Sequence, residues 1–132
     1  MTSVLLVSSL ARLIIDEAVV LAPRVFAAGE PVLLTTSSGP LASTRLDQTL
    51  RHLEVDSVVV TGLTTDVCVA QAARELADRG FRAVIAEDAC TTISEEMHRS
   101  ALQAFNIAFG RVQSTNEIIE LLARSGITSA TV

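Results

Sequence analysis

The chain has 132 residues, ten of them basic and fifteen acidic, for a formal net charge of −5. That length builds one core and leaves nothing over for a second domain, so residues 1–132 are expected to form a single domain. Negative charge without a basic cluster argues against nucleic acid or an anionic membrane as partner, and two cysteines without CxxC spacing give neither a disulfide framework nor a zinc site.

Apolar residues make up 49% of the chain, yet only four are aromatic (Phe26, Phe81, Phe105 and Phe109). The core must therefore be built from Val, Leu, Ile and Ala, which suits a buried parallel sheet. In chain order, residues 3–8 read as a strand and 10–22 as an amphipathic helix. The apolar stretch 2–22 has no basic leader and is interrupted by Arg12, Asp16 and Glu17, so it reads as neither signal peptide nor membrane span. Residues 31–36 form a second strand, and Ser37, Ser38 and Gly39-Pro40 mark a loop. A helix follows over 44–53, capped by Ser43 or Thr44.

The run Val58-Val59-Val60 centres a strand at 57–61 that leads into a helix at 66–79, stopped by Gly80. Then come a strand at 81–86, a helix at 94–109 closed by Gly110, a short strand at 111–113, and a helix at 116–124 capped by Thr115 and ended by Gly126. Regular alternation of this kind predicts a three-layer α/β/α domain. Its sheet is expected to be mostly parallel and doubly wound (flavodoxin- or Rossmann-like), with about five strands and right-handed crossovers. Active groups in such sheets gather at the carboxyl ends of the strands, where strand order reverses. Ser8, Thr35, Cys68 and Asp88 all fall at expected strand ends.

The most informative segment is Thr61-Gly62-Leu63-Thr64-Thr65-Asp66-Val67-Cys68-Val69. A strand ends, glycine allows a sharp exit, and Cys68 comes in the first turn of the next helix. Unpaired amides and the positive end of the helix dipole favour a thiolate there. The plainer alternative is that Cys68 is a small buried hydrophobe, the commoner fate of a free cysteine.

The segment resembles the nucleophile turn of the isochorismatase-like cysteine hydrolases, whose pattern is a strand followed by Gly-x-x-Thr-Asp-x-Cys-Val. The resemblance covers roughly residues 13–123, judged by the order of motifs along the chain. It includes Ile14-Ile15-Asp16-Glu17, Gly29-Glu30-Pro31-Val32-Leu33 and Ser43-Thr44-Arg45-Leu46-Asp47 upstream. Downstream it includes Ala86-Glu87-Asp88-Ala89-Cys90, His98 and Gly110-Arg111-Val112-Gln113-Ser114-Thr115. It implies hydrolysis of a small amide or related C–N bond through Cys68 and a covalent acyl-enzyme, without a cofactor. It also implies a cis peptide at Leu63–Thr64, with the Thr64 and Cys68 amides holding the oxyanion.

The departures from the family pattern concern chemistry. Family members carry an aspartate, a lysine and the cysteine, the aspartate serving as base and then acid while the lysine steadies negative charge. This chain contains no lysine. The lysine position falls on Thr35, and the aspartate position, at the end of the first strand, falls on Ser8. Asp16 matches the segment leading to the lysine strand instead, because too few residues follow it to make the usual helix and second strand. The chain is also shorter than the usual family domain. Neither Thr35 nor Ser8 holds charge at neutral pH, and loss of one positioned acid–base group costs a factor of about 10² to 10⁴ in rate.

Other polar residues have plainer readings. Asp88 reads as a loop cap, His98 as a packing or surface residue, His52 as solvated, and Cys90 as structural. Arg45 is the nearest cation in sequence to the missing lysine, but it belongs in the first turn of its helix. No aspartate–histidine cluster has metal-ligand spacing. Three readings remain: a weakened hydrolase, a catalytically silent relative that binds a small ligand or assembles with a partner, and a generic flavodoxin-like domain with a coincidental cysteine. The breadth of the resemblance disfavours the third. A cytoplasmic location and a homo-oligomer are the further expectations.

Overall fold

β-Branched residues supply the strands. In the computed structural model, which describes residues 2–8, 33 and 35–125, β1 (Thr2–Ser8) and β2 (Val55–Leu63) carry valine-rich runs. They are followed by β3 (Arg82–Thr91) and β4 (Arg111–Gln113). The helical elements are a single turn α1 (Pro40–Ser43), then α2 (Leu46–His52), α3 (Ala70–Asp78), α4 (Glu95–Ala108) and α5 (Thr115–Ser125). A π-helical turn, Thr65–Val69, joins β2 to α3.

The strands are all parallel, in the order β1-β2-β3-β4. This is the parallel α/β architecture expected from the alternation. Among the described strands the order does not reverse, and right-handed crossovers between strands laid down in sequence order place their helices on one face. In agreement, α3 packs against α4. The core lies on that face: Val58 and Val60 of β2 and Ala83 and Ile85 of β3 cluster with Leu50, Leu76, Leu102 and Phe105. Val59 and Val84, on the opposite face, are half-buried.

Local chemistry fixes the ends of the elements. Gly80 ends α3 with φ +87°, while the Phe81 amide donates to the Leu76 carbonyl and the Gly80 amide to that of Ala77. This is a Schellman motif, with Leu76 and Phe81 buried beside it. Ser94 caps α4 by accepting from the Met97 amide at 3.2 Å.

Three expectations need correction. The helix expected at 44–53 is α2, and the loop expected around Gly39-Pro40 runs into the extra turn α1, because the Thr44 hydroxyl donates to the Pro40 carbonyl and also accepts from the Leu46 amide, closing α1 and opening α2. Ser114, not Thr115, caps α5: its hydroxyl accepts from the Glu117 amide while the Glu117 carboxylate accepts from the Ser114 amide at 2.7 Å, a capping box. The strand expected at 31–36 is absent at Leu33, Thr35 and Thr36, its described residues, which have no strand pairing. The expected helix at 10–22, the matched segments at 14–17 and 29–32, and Gly126 lie outside the described residues.

Gly110, just past the end of α4, lies close against the backbone of β3. A Cβ there would land against the Ala83 carbonyl oxygen and 2.7 Å from the Phe105 ring. Gly110→Ala is expected to destabilise the fold by about 1–3 kcal/mol through this overpacking, read as a lower urea midpoint with an unchanged slope.

Candidate active site

The chain leaves the sheet at Gly62, whose φ of +119° lies in a region that disfavours any side chain. Pairing of β2 with β3 shifts register between Val60 and Gly62, and Ser8, the last residue of β1, pairs alongside Gly62. The Leu63–Thr64 peptide is cis. The amides of Val67 and Val69 then both donate to the Thr64 carbonyl, at 3.2 and 3.1 Å, which winds the wide turn. The turn buries Thr65, Cys68 and Val69 and leaves Val67 exposed.

Cys68 is 5% exposed. Burial pushes its thiol above the ordinary value. The Ser38 hydroxyl and the Thr64 backbone donate to the sulfur and pull the other way, while the Asp66 carboxylate adds to the rise. Desolvation here outweighs the donors and the helix start. None of the three groups acting on the sulfur is a cation.

A buried acid anchors the start of α1, just after Ser38. Glu75, on the inward face of α3, accepts from the Leu41 amide at 2.9 Å and is approached by the Gln71 side chain at 3.4 Å. A Cβ on Gly39 would collide with the Glu75 carboxylate, so glycine there lets the loop lie flat on α3. Thr35, three residues before Ser38, is exposed and has no regular structure. On the far side of the turn, Thr65 is fully buried and its hydroxyl lies 2.8 Å from His98 Nδ1. The Thr92 hydroxyl donates to Asp66 Oδ1.

The model of the Isochorismatase domain matches residues 15–117 of this sequence. The chain belongs to the isochorismatase family. It is 36% identical over 84 residues to the uncharacterized isochorismatase family protein YecD of Escherichia coli O157:H7, covering 64% of this chain and 45% of that one. It is 40% identical over 67 residues to nicotinamidase 3 of Arabidopsis thaliana, covering 51% of this chain and 33% of that one. An isochorismatase-like hydrolase from Alkaliphilus metalliredigens superposes with a TM-score of 0.69 at 27% identity, over 72% of this chain and 52% of that structure. The chain thus spans about half the length of these isochorismatase-family relatives, or less.

Within this isochorismatase-family fold the remaining polar candidates do local work. Asp88, at the carboxyl end of β3, accepts from the Thr115 hydroxyl and amide at 2.6 and 2.8 Å. These bonds hold its carboxyl below the usual carboxylate range. It caps α5. Burial pushes the Cys90 thiol up to about 11, so it stays protonated at neutral pH. Arg45 is exposed at the start of α2, and His52 is exposed at its end. Among the described residues no group of three His, Cys, Asp or Glu is placed to hold a metal.

Sequence reasoning passed over Ser38 and Glu75 and took His98 for a bystander. A signal for Glu75 was available: it lies on the face of α3 otherwise made of Ala72, Ala73 and Leu76, and a charge there needs a partner.

Glu75→Ala leaves the Leu41 amide without its acceptor and is expected to cost about 1–3 kcal/mol. Glu75→Gln, which keeps an acceptor, should cost less. Chemical denaturation of the two variants checks the order. The Asp88 shift has a definite sign. A depressed carboxyl stabilises above its unfolded value, so its contribution should be full at neutral pH and fade as pH falls through the folded value. Asp88→Asn should flatten that acid limb of the stability profile.

Proposed function

We propose that the chain provides the nucleophile half of an isochorismatase-family cysteine hydrolase acting on a small amide or related C–N bond, and that it does so slowly. The observation carrying this reading is Cys68 buried in the wide turn that follows the carboxyl end of β2, where the chain leaves the sheet at Gly62. In this reaction the Cys68 thiolate attacks the carbonyl carbon, and a C–S bond forms as the carbonyl electrons move onto oxygen. The tetrahedral species collapses, the C–N bond breaks, and the nitrogen leaves with a proton. Water then hydrolyses the thioester, returning the thiol.

The slow step follows from protonation. A thiol raised above its ordinary value presents little thiolate at neutral pH, and the Asp66 carboxylate opposes its ionisation. The kinship with nicotinamidase 3 supports a carboxamide as the substrate class. The same raised thiol favours a second reading, a silent family member that keeps the fold to bind a small ligand or assemble with copies of itself. Exposed Ile93, Ile107 and Ile119 offer apolar surface for such assembly.

Ammonia release from a simple carboxamide such as nicotinamide separates the two. The hydrolase reading expects turnover about 10² to 10⁴ below that of a relative with its acid–base partners, abolished in Cys68→Ala. Release equal in the wild type and Cys68→Ala would establish the silent reading instead.

A further inference from the structure

Every side-chain bond that ties the cysteine turn to the rest of the molecule on its far side comes, among the described residues, from one short segment. Thr92 donates to Asp66 just after β3, and six residues later, in the second turn of α4, His98 meets Thr65. The two residues they hold, Thr65 and Asp66, open the π-helical turn that carries Cys68. Such a turn is weakly held from within. Two of its amides share the single Thr64 carbonyl, a poorer arrangement than the one-to-one ladder of an α-helix. Its position therefore depends on what clasps it from outside.

The two clasps differ in kind. Asp66 is only half-buried, so water can replace Thr92. Thr65 is fully buried, and its hydroxyl has no such recourse: its side-chain partner is the His98 imidazole at 2.8 Å. A buried hydroxyl held this way cannot move without losing its bond, so the turn and α4 are locked together.

We propose that His98 is a positioning residue for the nucleophile, acting through its Nδ1–Thr65 hydroxyl bond to fix the turn that holds Cys68 in its buried place. The role rests on Cys68 being the nucleophile of the proposed reaction. The bond itself is read by thiol accessibility, which does not depend on turnover.

The test is alkylation by iodoacetamide at fixed pH, with Cys68 and Cys90 followed separately by peptide mass spectrometry. His98→Ala should speed modification of Cys68 by about tenfold or more, the shift expected when a buried hydrogen bond is lost, and leave Cys90 unchanged. His98→Asn places a polar group at the Nδ1 position and should restore the slow rate. His98→Gln, which places it at the Nε2 position, should not. If His98→Ala does not fold, Thr65→Val and Thr65→Ser read the same bond: the first should expose Cys68 and the second should protect it. Equal Cys68 rates in the wild type and His98→Ala, or in Thr65→Val, would overturn the proposal. So would parallel acceleration of both cysteines, or rescue by His98→Gln as complete as by His98→Asn.

Discussion

Gly62 takes β2 out of the sheet with a backbone conformation that a side chain would strain, and the register with β3 breaks at the same place. The whole cysteine turn depends on that exit. With β1 and β3 paired on its two sides, β2 cannot drift, so the residues after Gly62 emerge over the carboxyl end of the sheet. A run of β-branched and small residues then enters the wide turn and buries the Cys68 sulfur rather than presenting it to solvent. The sheet fixes where the cysteine is; burial decides what it can do.

Two neighbours complete the arrangement from opposite sides. Glu75 anchors α1 through the Leu41 amide, three residues after Ser38. Thr65 faces α4 through His98. Each is a buried polar group whose removal leaves a partner, the Leu41 amide or the His98 imidazole, without its bond. Between them the sulfur receives donors but no positive charge, and desolvation prevails over hydrogen bonding.

Much of the fold was legible in the sequence because it is local. The valine run, the glycines at 80 and 110, and the 3.6-residue periodicity from Glu95 to Ala108 each declare an element through chemistry within a few residues. Boundaries slipped where a side chain bonded outside that window. The Thr44 hydroxyl closes an extra helical turn before the expected helix begins at Leu46, and Ser114 rather than Thr115 starts the last. The site was legible only at Cys68 and its turn. Ser38, Glu75 and His98 matter through partners about 30 residues away or more, and spacing along the chain carries no trace of such pairings. The strand end chosen for Thr35 also failed, since the irregular stretch marked by Ser37, Ser38 and Gly39-Pro40 already takes in Thr35 and Thr36.

Membership of the isochorismatase family supplies the fold, but the protonation state of Cys68 is a property of this chain. The decisive property of the site is a Cys68 thiol that burial pushes above its ordinary value. Its most direct test is the pH dependence of Cys68 ionisation in a Cys90→Ala variant, followed by ultraviolet absorbance of the thiolate. A midpoint above the ordinary thiol value of about 8.5 is predicted. A midpoint below it would show an activated nucleophile and contradict the account.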